Sequence, residues 1–93
     1  MKQLAIPSWW VYILKCADGS YYTGTTTAVS RRVSQHNQGT GARYTRSHLP
    51  VKEVYQEVQI DRSAALKREL RLKKLTHVEK QKLVENYLTT TPL

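Results

Sequence analysis

Five side chains combine types and spacings suited to work on a charged oxygen. Tyr12 and Tyr22 flank the turn of ILKCADGSYYTG with nine residues between them. Arg32 and His36 are four apart, so a helix would place them on one stripe. Glu69 is the lone acid in the run from Arg62 to Leu75. A guanidinium presents a planar fork that matches phosphate oxygens better than the point charge of a lysine. A carboxylate is a hard oxygen ligand of the kind Mg²⁺ takes. A phenol titrates at about 10, so proton removal at neutral pH requires cations that lower this value.

Whether the two tyrosines can cooperate depends on the turn between them. A two-residue turn on Asp18-Gly19 would pair Leu14 with Thr23 and put Tyr12 and Tyr22 on opposite faces. A three-residue loop, Ala17-Asp18-Gly19 with a left-handed Gly19, pairs Leu14 with Tyr22 and makes the tyrosines diagonal neighbours. The Ala-Asp-Gly order suits a type I turn followed by a left-handed glycine, which favours the second register.

The positioning elements follow from local signals. A strand over Trp9 to Cys16 is apolar on both faces, as expected of a central strand covered on both sides. A second strand runs from Ser20 to Thr25. Thr26 or Thr27 can cap a helix that Gly39 ends, with Val29 and Val33 toward the sheet. Residues 39–50, GTGARYTRSHLP, read as a polar basic loop, and Val51 to Ile60 as a third strand. Asp61 caps a helix to about Lys74 whose apolar seam is Leu66 and Leu70. Thr76-His77-Val78-Glu79 has the form of a capping box before a last helix. That helix offers Val78, Leu83, Val84, Tyr87 and Leu88 for burial, and the tail TTTPL is expected to fray. The order β-β-α-β-α-α predicts an α+β fold: a small three-stranded antiparallel sheet flanked by three helices. One domain over residues 1–93, with its core at about 9–88, accounts for the whole sequence.

Lys and Arg number 15 against 7 Asp and Glu, a formal charge of +8 on 93 residues. Such an excess favours polyanionic partners, nucleic acid first. Arg43, Tyr44 and Arg46 interleave bases with an aromatic, a pattern suited to backbone contact and base stacking. Lys67, Arg71 and Lys74 belong to a basic helix surface suited to phosphates. The longest apolar run, WWVYIL, is far too short to cross a bilayer. Cys16 is the only cysteine, which excludes an intrachain disulfide and fits a reducing, cytoplasmic setting. In an apolar strand it reads as a small buried hydrophobe.

Trp10-Val11-Tyr12, nine residues, then Tyr22-Thr23-Gly24 resembles the paired motif of the GIY-YIG endonucleases. Arg32 follows Gly24 by eight residues, His36 follows by four more, and Glu69 lies on the later helix. Together with ALKRELRLKKL and the GTGARYT loop, this resembles the small stand-alone bacterial members over about Trp9 to Leu83. Trp10 replaces the family's Gly and Thr23 its Ile, while both tyrosines and Gly24 remain. Asn86 is the one late asparagine that could stand for the family's own.

The resemblance implies hydrolysis of DNA phosphodiester bonds assisted by one Mg²⁺ or Mn²⁺ held by Glu69, with a role in DNA repair or recombination, and a single small domain leads one to expect little sequence specificity. It implies that Arg32 engages the phosphate and that Tyr12 orients and deprotonates the attacking water. Arg32 and the metal would lower the Tyr12 pKa, while Tyr22 and His36 assist by hydrogen bonding. Taken singly, each residue has a plainer reading: strand aromatics for the tyrosines, a surface imidazole for His36, helix salt bridges for Glu69. RNA in place of DNA is equally compatible with phosphate contacts. Two other functions use the same fold: a binding module that does not cut, and a subunit that needs a protein partner to become active.

Overall fold

The computed structural model describes residues 8–90. Three strands, β1 (Trp9–Lys15), β2 (Tyr21–Thr26) and β3 (Lys52–Gln59), form one antiparallel sheet in the order β2-β1-β3. Four helices accompany it: α1 (Val29–Asn37), the single turn α2 (Arg43–Arg46), α3 (Arg62–Lys73) and α4 (His77–Thr90). β1 is the central strand, and Val11, Tyr12, Ile13 and Leu14 are all buried. This is why both of its rows are apolar: each supports a separate core.

The hairpin adopts the register that places its tyrosines together. Leu14 pairs with Tyr22 and Tyr12 with Gly24. Gly19 sits at φ +87°, its N–H donating to Cys16 O at 2.9 Å, while the Cys16 N–H donates to Ser20 O at 2.8 Å. The Asp18 carboxylate accepts from Ser20 N and Oγ, which holds its pKa below the usual carboxylate range.

The two faces of β1 divide the packing. Val11 and Ile13 join Val54, Tyr55, Ala65, Leu72 and Val84 under α3 and α4. Tyr12, Leu14, Cys16 and Val51 lie on the other face, covered by Val29 and Val33 of α1 and by Leu49. Cys16 is buried there, and burial raises its thiol pKa. Asn37 ties α1 to the start of β3, its Nδ2 donating to Val51 O at 3.0 Å and its Oδ1 accepting from Val51 N at 2.8 Å.

The helix ends show which local signals act. Asp61 accepts from Ala64 N at 2.8 Å, and Thr76 and Glu79 exchange both bonds of a capping box. Gly39, at φ +84°, follows α1 and donates to His36 O. The N-cap of α1 is Ala28 rather than Thr26 or Thr27; Thr26 Oγ1 instead accepts the Ala28 N–H at 3.1 Å. Thr89 and Thr90 continue α4, and the rest of the TTTPL tail lies outside the described residues.

The seam of α3 differs from the sequence expectation. Leu70 is 60% exposed, while Ala65 and Leu72 are fully buried. Residues 65, 69 and 72 follow the i, i+4, i+7 spacing of one stripe. Glu69 therefore lies on the sheet-facing stripe itself, with only 16% of its side chain exposed. On α4 only Val84 is buried, with Leu83 and Tyr87 partly covered, and Val78 and Leu88 face outward. Leu72→Ala should cost about 2–5 kcal/mol of stability, and Leu70→Ala should stay within about 0.5 kcal/mol. Urea unfolding of the two variants beside the unaltered protein measures both.

Candidate active site

Tyr12 is the centre of the site. Its ring crosses Gly24, the residue opposite it in β2: a Cβ on Gly24 would stand 2.6 Å from the phenolic oxygen and 2.8 Å from Cζ. A motif that ends in glycine thus has a steric reason, because any side chain there would occupy the place of the phenol. The phenol is directed toward β2, an edge strand of the sheet.

α1 supplies the next partner. His36 is completely buried, which excludes the surface-imidazole reading. The Tyr12 hydroxyl and His36 Nε2 are 2.9 Å apart. On the far side of the imidazole, His36 Nδ1 lies 2.8 Å from Thr45 Oγ1. The Thr45 hydroxyl donates its one proton to Ala42 O at 2.9 Å, so its oxygen accepts from Nδ1–H. Burial, reinforced by the Arg32 charge, lowers the His36 pKa and keeps the ring neutral. Nε2 is then the acceptor, and the Tyr12 O–H donates to it.

Arg32, one turn before His36, acts on Tyr12 by hydrogen bonding and by charge, and its Nη1 donates to Gln35 Oε1 at 3.0 Å. The Tyr22 ring packs edge-on to His36 at 5.3 Å and tilted to Tyr12 at 6.4 Å. Glu69 approaches from the opposite face of the sheet, on α3, and its charge also acts on Tyr12. Charged groups on two helices, packed on opposite faces of the sheet, thus both act on one phenol.

Of the two cations expected to lower the Tyr12 pKa, Arg32 alone is not enough: burial pushes it up to about 12, outweighing the pull of Arg32, and Tyr22 and Glu69 raise it further. With only 1% of the residue exposed, the cost of desolvating a phenolate exceeds the gain from one nearby guanidinium.

Among the described residues, no group of three or more His, Cys, Asp and Glu gathers as a metal site. Mg²⁺ does not need one, since it commonly takes one or two carboxylates and keeps several waters. Glu69 fits this pattern: one largely sheltered carboxylate, ion-paired with Lys73 at 3.1 Å, whose charge reaches Tyr12.

The remaining candidates are dispersed. Arg43 and Arg46 are exposed on α2, a helical turn inside the segment read as a loop. Tyr44 is 41% exposed, donates to Ser20 Oγ at 2.6 Å and stacks on His48 at 4.2 Å, so an internal partner already covers part of its ring. Arg68 is bound to Glu57 by two hydrogen bonds at 2.8 and 3.3 Å. Lys67, Arg71 and Lys74 are exposed and form a stripe of their own. At about 100° per residue that stripe lies on the side of α3 opposite Glu69. Asn86 is exposed on α4. Thr45, buried and bonded to His36, is the site residue that the sequence reading missed. The one available signal was its place one helical turn after Gly41.

The GIY-YIG catalytic domain model matches residues 8–82. A UPF0213 protein of Desulfotalea psychrophila is 52% identical over 80 residues, 85% of this chain and 73% of that one. Among solved structures, a UPF0213 protein of Bacillus halodurans, determined by solution NMR, is 41% identical at a TM-score of 0.54, covering 84% of this chain and 83% of the other. A protein of E. faecalis, also solved by NMR, is 40% identical at a TM-score of 0.59, with 92% of each chain covered.

Two outcomes follow from the Tyr12 environment. Gly24→Ala should displace the ring and cost about 1–3 kcal/mol, read from chemical unfolding. The folded state holds the Tyr12 proton to about pH 12, whereas an unfolded tyrosine loses it at about 10. Stability should therefore fall as pH rises from about 10 through about 12. Tyr12→Phe should remove part of that fall, measured by urea unfolding across this alkaline range.

Proposed function

The chain belongs to the GIY-YIG family, and we propose that it is a nuclease that hydrolyses DNA phosphodiester bonds with the help of a divalent cation. The observation that supports this most directly is the hydrogen bond from Tyr12 to the buried, neutral His36, at a phenol that also feels Arg32 and Glu69. A simple packing core has no need of a hydroxyl bonded to a buried histidine within the fields of an arginine and a glutamate.

The phenolic proton points into Nε2 of His36, so with Arg32 donating to one lone pair of the Tyr12 oxygen the other is left to accept. An attacking water passes a proton to that oxygen as the phenolic proton moves to Nε2, leaving tyrosine neutral and histidine protonated. The water oxygen forms the new bond to phosphorus, and the bond to the leaving sugar oxygen breaks. Such a relay does not require a phenolate in the resting site, which resolves the high Tyr12 pKa. Arg32 presents its fork to the phosphate oxygens. Tyr22 packs against both rings and keeps them oriented. Glu69 would hold Mg²⁺ or Mn²⁺. When bound, the cation supplies positive charge to the phosphate and the leaving oxygen. The exposed bases of α2 and the outer stripe of α3 would add phosphate contacts away from the reacting bond.

Supercoiled plasmid should be nicked in Mg²⁺ or Mn²⁺ and spared in chelator. Arg32→Ala and Glu69→Ala should each lower the rate by about a hundredfold or more. A folded wild type that binds plasmid without nicking it would refute the proposal and support a binding module. Replacing Lys67, Arg71 and Lys74 together by Ala should leave nicking at saturating DNA unchanged. It should also make the dependence of log affinity on log salt shallower, by up to about 3 units of slope.

A further inference from the structure

The GTGARYT segment has a feature that phosphate binding does not explain: its small and hydroxyl residues converge on the hidden side of His36. Gly41 lies so close to the imidazole that an added Cβ would stand 2.8 Å from Cγ and 2.9 Å from the His36 Cα. The φ of Gly41 is not in the left-handed region, so the requirement is for space rather than for backbone freedom. Ala42 contributes its carbonyl and Thr45 its hydroxyl. Thr45 has no exposed surface, and its hydroxyl is bonded to His36 Nδ1 at 2.8 Å and to Ala42 O at 2.9 Å. The segment is itself anchored to the hairpin turn, by Tyr44 to Ser20 and by the Ala17 N–H to His48 O.

We propose that Thr45 is a positioning residue: by accepting from His36 Nδ1–H, it fixes the imidazole tautomer and so directs the Tyr12 proton into Nε2. The reasoning is one of hydrogen-bond polarity. A carbonyl can only accept, so the Ala42 oxygen takes the single hydroxyl proton of Thr45. The Thr45 oxygen then offers lone pairs alone to His36, and a neutral imidazole with its proton on Nδ1 has none on Nε2. Direction is thereby transmitted along four groups, from a backbone carbonyl to the phenol that faces the substrate. In the opposite tautomer Nε2–H would donate to Tyr12, and the phenolic proton would point to where water must approach. Gly41 admits the segment close enough for this contact. The link to chemistry rests on the nuclease reading above; the control of the tautomer does not.

The test uses the full chain, labelled with ¹⁵N, and two variants. Long-range proton–nitrogen NMR should show wild-type His36 protonated on Nδ1. Thr45→Ser should keep that pattern, because it keeps the hydroxyl. Thr45→Val, close in shape but without an acceptor, should shift the proton partly or wholly to Nε2. Single-turnover nicking should fall about ten- to a hundredfold in Thr45→Val, the size of effect expected when an outer partner of a histidine is lost. Plasmid affinity should be unchanged, and Thr45→Ser should recover most of the rate. A wild-type imidazole protonated on Nε2, or a Thr45→Val protein that keeps the Nδ1 proton, would overturn the assignment. A rate loss without a change of tautomer would overturn it too, since it would mean that the substitution only loosened the fold. If wild type does not nick but the tautomer responds as described, the nuclease reading fails and the role of Thr45 stands.

Discussion

A histidine and a tyrosine buried side by side must satisfy each other, and much of this structure is arranged so that they can. His36 has no exposed surface and Tyr12 almost none, so a polar atom left without a partner would carry a large desolvation cost. The Tyr12 hydroxyl and His36 meet that demand by bonding to each other and, through Thr45, to a backbone carbonyl. The consequences reach several elements. β2 must carry a glycine where the phenol crosses it, α1 must dock so that its fourth-residue stripe turns inward, and the segment after α1 must fold back over the imidazole. A polar network of this kind is valuable only when complete.

The same network explains how a site with two neutral bases can handle a proton. Burial moves the two groups in opposite directions, the phenol upward and the imidazole downward. Each is thereby held in its uncharged form at neutral pH. A resting phenolate would attract cations and repel a phosphate, whereas a neutral pair leaves the positive field of Arg32 uncancelled. Glu69 is partly covered and paired with Lys73, so its negative charge is also moderated in the absence of a ligand.

The sequence made some of this legible and concealed the rest for physical reasons. Local signals with a stereochemical cause were decisive: Ala-Asp-Gly set the hairpin register, Asp61 and the Thr76–Glu79 box set helix starts, and a doubly apolar β1 announced a central strand. What depends on the rotation of a helix about its axis was not legible. Leu66 and Leu70 are spaced as well for a seam as Ala65, Glu69 and Leu72, and only the shape of the sheet beneath distinguishes them. That choice also turned Lys67, Arg71 and Lys74 away from the sheet. Thr45 was hidden for another reason. Flanked by Arg43, Tyr44 and Arg46, it has the composition of a solvated loop, and its burial arises from a contact with an imidazole nine residues earlier. The Thr23 hydroxyl, on the α3 side of β2, is buried with no hydrogen-bond partner among the described residues, and nothing in the structure explains its presence where the family motif has Ile.

Arg68 and Glu69 are neighbours in the chain, and α3 turns about 100° between them. One is clasped by Glu57 of β3 through two hydrogen bonds; the other lies on the sheet-facing stripe, paired with Lys73. A helix lying on a sheet can slide or tilt, but it can also roll like a log, and a roll of a few degrees would swing a carboxylate well before it disturbed the aliphatic contacts beneath. The clasp works as a chock against that motion. The angle at which Glu69 is presented is thus set from the opposite margin of the sheet, by an ion pair on β3.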